Sequence, residues 1–134
     1  MGKVLGKIVD VILAFVLFCL VWYLISGVVT GKPNVLGYRI FYVLTESMVP
    51  VINSGDFVSG IPVDYEDVKI GDIVTYKNRS KEITICHRVV ELTEEGLVLK
   101  GDNNVGADTE KVREEDVGYR IVTIFHFRHP VVQH

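Results

Sequence analysis

The stretch EITICHRVVEL, residues 82–92, is the longest run in this chain with the alternating pattern of a β-strand. Successive side chains of a strand point to opposite faces, so Ile83, Ile85, His87 and Val89 share one face. His87 therefore lies in line with apolar residues. It is either a core histidine with hydrogen-bonded nitrogens or a base kept neutral by burial.

Outward from this strand, the chain contains several more short runs rich in β-branched and aromatic residues. Turns of Gly, Asn, Asp and Ser separate them. Short strands divided by such turns are typical of all-β barrels and sandwiches. The sequence therefore predicts a mainly β domain, small and barrel-like. The further strand candidates are residues 38–44, 56–63, 72–78, 96–101 and 117–127.

The N-terminal part of the chain has a different composition. Residues 11–31 carry no charge, and as a helix this run reaches roughly 30 Å, about one bilayer core. A cleaved signal peptide has the same basic and apolar order, but the apolar run is long and SGVVTG offers no clear cleavage site. We predict a retained anchor at residues 1–31 and an extracytoplasmic β-rich domain at residues 32–134. Lys3 and Lys7 favour a cytoplasmic N-terminus and a single pass through the cell membrane.

Composition narrows the ligands that we expect. The net charge is −3 and no basic cluster is present, so no nucleic-acid partner is predicted. Cys19 lies in the apolar run and Cys86 in the outer domain, which gives no disulfide pair. His126 and His129 could hold a metal weakly, although a surface tail that ends at His134 is favoured. We therefore predict no metal site and no cofactor.

Two further stretches carry residues that could do chemistry. In TESMVP, residues 45–50, Pro50 has a fixed φ and biases the preceding residue toward an extended conformation, which makes a shaped corner. Ser47 in this corner is either a turn hydroxyl or a nucleophile. In KGDNNVGAD, residues 100–108, Asp102 fits an Asx turn. Asp102 or Asp108 could instead orient an imidazole.

Four of these runs, in order behind one membrane helix, resemble the conserved boxes of type I signal peptidases. They are SMVP (47–50), GDIVTYK (71–77), HRVV (87–90) and KGDNN (100–104). The resemblance is to the archaeal and endoplasmic-reticulum branch, because a histidine stands where the bacterial branch has a lysine. It implies a membrane-bound serine endopeptidase that removes N-terminal signal peptides from exported preproteins after small residues. Its partners are then preprotein signal peptides and the lipid bilayer.

The resemblance also implies roles for individual residues. Ser47 matches the nucleophile and His87 the general base. Asp108 matches the acid that orients the histidine, and Asp102 matches a second acidic position whose part is less defined. The family often has two adjacent acids near Asp108, whereas here Ala107 precedes it. Asp102 therefore stays open as an alternative or supporting acid.

Two other functions are consistent with the sequence. One is a membrane-anchored β-domain that binds a ligand or partner without catalysis. The other is a related serine peptidase that cuts itself or a regulator. The membrane anchor argues against a cytoplasmic self-cleaving repressor.

Overall fold

The computed structural model describes residues 1–127, which form two compact units. The first unit comprises Met1–Arg39, and the second begins at Ile40. His129 and His134, part of the histidine tail discussed above, lie outside the described residues.

The first unit is dominated by one helix, α1, from Gly2 to Thr30. Its 29 residues have a mean hydropathy of 2.8 in the most apolar window, which is long and apolar enough to cross a membrane. Gly31 ends the helix in the left-handed region, at φ 67°, where its backbone N–H donates to the Gly27 carbonyl at 3.1 Å. Glycine has no Cβ and adopts this conformation without a steric penalty.

The segment after α1 is hydrogen-bonded back to the helix. The backbone N–H of the buried Asn34 donates to Ser26 Oγ at 3.0 Å, and the Asn34 side chain accepts from Trp22 Nε1 at 3.4 Å. A polar side chain thus satisfies backbone groups where the helix ends.

The second unit is a six-stranded sheet, and its mainly β class is confirmed. Each strand lies within two residues at either end of a stretch that the sequence predicts, because the alternation and the turn residues mark both ends of a strand. Two short 3₁₀ helices, Tyr65–Asp67 and Glu114–Asp116, precede β3 and β6. The strands are β1 (Arg39–Tyr42), β2 (Phe57–Pro62), β3 (Ile73–Asn78), β4 (Ile83–Thr93), β5 (Gly96–Lys100) and β6 (Val117–Phe125).

The strand order is β1-β2-β6-β3-β4-β5, so the small β domain that the sequence predicts is present as an open sheet. The ladders from β2 through β6, β3 and β4 to β5 are antiparallel. Closure would require a ladder between β1 and β5. At the edge of β5, Leu97 instead exchanges backbone hydrogen bonds with Val112 at 2.9 Å. The loop segment after β5 therefore covers the edge that a barrel would pair.

Two apolar clusters form the core. The larger packs around Val74, Val89 and Leu99, which are fully buried. The smaller contains Met48, Ile52 and Val58 and packs under the turn that carries Ser47. The face of β4 that carries His87 and Val89 thus points into the protein, as its alternation predicts.

The described histidine of the tail is hydrogen-bonded to a buried carboxylate. His126 Nδ1 lies 2.7 Å from Oδ2 of the buried Asp56, which also accepts the backbone N–H groups of Asn53 and Phe127. Although burial acts to raise it, these donors hold the pKa of Asp56 below its ordinary value.

Candidate active site

Ser47 lies in a turn between β1 and β2 that is fastened to the segment after β5. The Asn103 backbone N–H donates to the Ser47 carbonyl at 2.8 Å, and the Asn103 side chain donates to the Glu46 carbonyl at 3.1 Å. The next residue, Met48, is buried in the smaller core cluster. The serine hydroxyl is therefore carried by a backbone that is held from both sides.

Gly101 makes the approach of these two segments possible. A Cβ at this position would lie 2.6 Å from the Ser47 carbonyl oxygen and 2.6 Å from the Asn104 side-chain nitrogen. Both distances are shorter than van der Waals contact. A side chain at residue 101 would therefore push the serine turn away, which explains on steric grounds why KGDNN has a glycine at this position.

His87 lies in the middle of β4, opposite Val74 of β3, and is 6% exposed. Its Nε2 lies 3.1 Å from Ser47 Oγ. The two residues are 40 positions apart in the chain, and the sheet brings them into hydrogen-bonding contact. A serine hydroxyl within such reach of an imidazole nitrogen is the geometry of an activated nucleophile.

Asp108 is in contact with the other imidazole nitrogen. Its Oδ2 lies 2.7 Å from His87 Nδ1, and its backbone N–H donates to the Leu99 carbonyl at 2.7 Å. An ionised carboxylate only accepts, so Nδ1 carries the proton and donates. In a neutral imidazole Nε2 is then the acceptor, and Ser47 Oγ–H donates to it. The arrangement can withdraw a proton from the serine.

Asp102 is engaged elsewhere. Its two oxygens accept from Arg88 Nε and Nη2 at 2.9 and 2.8 Å, and Arg88 Nη1 donates to the Gly71 carbonyl at 2.8 Å. The Arg88 hydrogen bonds hold the pKa of Asp102 below its ordinary value. This bidentate pair fastens the start of the segment that holds both Asn103 and Asp108.

Ser47 and His87 line a cleft of about 510 Å³ in the second unit. Its walls are mostly apolar and come from the segment after β1, from the start of β4 and from the smaller core cluster. The thiol of Cys86 lines the cleft, and burial, with a smaller effect of Asp102, raises its pKa to about 12, so it stays protonated.

A second groove, of about 590 Å³, is lined by several charged residues, and some of them are paired with one another. Arg79 pairs with Asp116, and Lys111 pairs with Glu95. Among residues 1–127, no group of three or more His, Cys, Asp or Glu side chains is arranged to hold a metal ion. The chemistry of the described residues is therefore centred on the cleft with Ser47.

Two side chains next to these residues were missed from the sequence. Thr45 Oγ1 lies 3.3 Å from Ser47 Oγ, and its signal in the sequence is its position two residues before the serine. The Tyr76 hydroxyl donates to Asp108 Oδ2 at 2.8 Å. Nothing in the sequence indicates this contact, since it joins positions 32 apart through the order of the strands.

No family model matches the chain. Among curated proteins, it is 32% identical over 121 residues to signal peptidase I W of Bacillus subtilis, covering 83% of this chain and 63% of that protein. It is 38% identical over 90 residues to the signal peptidase complex catalytic subunit SEC11 of Colletotrichum graminicola, covering 63% of this chain and 49% of that protein. The same subunit of Sclerotinia sclerotiorum is 41% identical over 76 residues, which cover 53% and 44% of the two chains.

The chain thus spans between about two fifths and just under two thirds of the length of these relatives. The names of the relatives describe bacterial and fungal enzymes of one kind. The matches also cover the larger part of the chain in the first two comparisons.

Proposed function

Because the chain belongs to the type I signal peptidase family, we propose that it is a membrane-bound serine endopeptidase that removes signal peptides from exported preproteins. The observation that carries the proposal is the hydrogen-bonded series from Ser47 Oγ through His87 to Asp108, at 3.1 and 2.7 Å, beside an apolar cleft. Nucleophile, base and orienting acid in this order make up the machinery of acyl transfer.

The reaction proceeds in two steps. Ser47 Oγ forms a bond to the scissile carbonyl carbon while its proton passes to His87 Nε2. The carbon–nitrogen bond then breaks as Nε2 gives that proton to the leaving amine, which yields an acyl ester on Ser47. Water attacks the ester with the same base, and the serine hydroxyl is restored. Asp108 holds the imidazole in the required tautomer throughout.

The charge that develops on the carbonyl oxygen needs donors. Two donors are close enough to stabilise it. One is the backbone N–H of Ser47, and the other is the hydroxyl of Thr45, which lies 3.3 Å from the nucleophilic oxygen. Both are attached to the turn that Asn103 fastens. The turn therefore presents nucleophile and donors as one rigid piece.

An extended substrate segment fits the exposed edge of β4. The ladder between β4 and β5 covers Arg88 to Thr93, whereas the ladder between β3 and β4 covers Ile83 to Arg88. Among the described strands, β5 thus leaves the edge of β4 from Ile83 to His87 uncovered, and this part of β4 lines the cleft. A peptide that adds a strand there passes beside His87 and Ser47.

The helix α1 would contribute to the reaction by confining the enzyme to the membrane that also holds the substrate. A signal segment and an anchored enzyme share one bilayer, which raises the effective concentration of the scissile bond. The lysines at residues 3 and 7 favour a cytoplasmic N-terminus, and the second unit then acts at the outer face. The short side chains expected before the cut would be accommodated in the apolar cleft beside Ser47.

Cleavage of a defined precursor tests the proposal. The full chain in detergent is mixed with a precursor that carries an Ala-x-Ala site, and the products are identified by mass spectrometry. We expect one cut after the second alanine, and no cut in a matched precursor with bulky residues at both alanine positions. An intact precursor, or a cut that ignores these residues, would refute the proposed activity.

The two carboxylates are expected to behave differently on amidation. Asp108→Asn should lower kcat/KM by about 10³- to 10⁴-fold, because an amide no longer fixes the tautomer of His87. Asp102→Asn should instead lower the free energy of unfolding by about 1–3 kcal/mol through the loss of the Arg88 pair. Cleavage rates and thermal unfolding of both variants check this, and a greater catalytic loss for Asp102→Asn would reverse the assignment.

The stability effect of Asp102 has a defined pH range. Its pKa is depressed in the folded protein, so its contribution is present above the ordinary value of 3.8 and is lost as the pH falls through the folded pKa. The stability difference between wild type and Asp102→Asn should therefore be full near pH 7 and shrink below about pH 4.

A further inference from the structure

Two donors meet on one oxygen of the orienting carboxylate. Asp108 Oδ2 accepts from His87 Nδ1 at 2.7 Å and from the Tyr76 hydroxyl at 2.8 Å. The rings of Tyr76 and His87 lie 6.3 Å apart between centroids and are tilted by 58°. The phenol thus reaches the carboxylate from a position beside the imidazole.

Tyr76 is well placed to fix this oxygen. Its backbone lies in the centre of the sheet, on β3 between Ile85 of β4 and Val117 of β6. Its ring is 3% exposed and belongs to the larger core cluster. The hydroxyl is therefore carried by a ring that is packed in the core of the domain.

Asp108, in contrast, lies on the loop that leaves β5. A carboxylate rotates readily about its last torsion, which is broad for Asp. One hydrogen bond to His87 would leave this rotation loosely determined. A second donor on the same oxygen fixes which oxygen faces Nδ1 and from which direction.

We infer that Tyr76 is a positioning residue of the catalytic centre, which acts through Asp108 by holding Oδ2 toward His87. The inference rests on the proposed peptidase function. A buried phenol that merely needed an acceptor would be satisfied by any nearby carbonyl. Here its acceptor is the same atom that orients the base.

The hydroxyl is a donor at every working pH. Burial, followed by the hydrogen bond to Asp108, raises the pKa of Tyr76 far above its ordinary value. Because two donors share Oδ2, each bond is weaker than it would be alone. Without the phenol donor, less of the negative charge of Asp108 is neutralised by a hydrogen bond, so the carboxylate favours the protonated imidazole more strongly even though its oxygen is less well held.

The other ionisable groups near His87 do not reproduce this effect. Asp102 interacts with His87 through its charge, and that charge is balanced by the bidentate Arg88. Glu110 acts on Tyr76 through its charge. Within residues 1–127, further ionisable groups nearby line the same cleft or act on Asp102. These are Lys81, Cys86 and Lys100.

Tyr76→Phe tests the role, because the ring stays in the core and only the hydroxyl is lost. We expect kcat to fall about 3- to 10-fold with KM within about twofold, since Tyr76 does not line the cleft. The acid limb of the kcat/KM profile should move to higher pH by about half a unit. Tyr65→Phe, which removes a hydroxyl from a ring packed against the same core cluster, should change neither quantity.

A second comparison does not depend on the stability of the single variant. In an Asp108→Asn background, Tyr76→Phe should cause no further fall in kcat, since the group it positions is already lost. An unmoved acid limb, an unchanged kcat, or the same fall in both backgrounds would show that the hydroxyl is only structural. Failure of the wild type to cleave the precursor would instead refute the proposed function, and the inference with it.

Discussion

Ser47→Ala is expected to abolish precursor cleavage, with kcat/KM reduced by at least about 10⁴-fold, while the protein stays folded. The variant loses one oxygen atom from a half-buried position. The hydrogen bonds that fasten this turn go to the carbonyls of Glu46 and Ser47, which alanine retains. The loss is therefore confined to the nucleophile.

The measurement is a progress curve with the Ala-x-Ala precursor, together with thermal unfolding of the same preparation. Ser80→Ala is the matched control, because its hydroxyl lies on an exposed turn and bonds to Glu110. It should cleave like wild type. Cleavage by Ser47→Ala at the wild-type rate would show that Ser47 is not the nucleophile, whereas no cleavage by the wild type would favour an anchored domain that binds a partner without chemistry.

His87→Gln is expected to have an effect of similar size, about 10⁴-fold or more in kcat/KM. Glutamine can still donate hydrogen bonds, but it cannot take the proton of Ser47 Oγ near neutral pH. His126→Gln is the matched control, since His126 is hydrogen-bonded to Asp56 outside the cleft. That variant should retain activity.

The pH dependence of kcat/KM tests the role of His87 as the base independently. Because the base acts in its neutral form, wild-type kcat/KM should fall as the pH decreases from about 8 to 5, the range in which histidines commonly titrate. The residual activity of His87→Gln should lack this limb. A wild-type profile that stays flat from pH 8 to 4 would argue against His87 as the base.

The strands could be predicted from the sequence because strand periodicity is a local property. The alternation in residues 82–92 predicts β4 within one residue at each end, and the turn residues mark the other five strands. Closure of the sheet depends on which edges meet. The pairing of Leu97 with Val112, which covers one edge, is a non-local contact that no alternation indicates.

The candidate site could be predicted only in part. Ser47, His87 and Asp108 were nominated by resemblance to a family, and the structure brings their side chains together. The choice between Asp108 and Asp102 depends on how six residues of loop are placed, and the sequence leaves it open. Tyr76 reads as an ordinary strand aromatic, because its partner is 32 residues away.

A double-variant cycle on Ser47 and His87 tests most directly whether the two residues act as one catalytic unit. kcat/KM is measured for Ser47→Ala, His87→Gln and the combined variant under the same conditions. The account predicts that the combined variant is as slow as either single variant, within about threefold, because each change alone disables the same step. Losses that multiply, with the combined variant slower by the product of the two single effects, would contradict it.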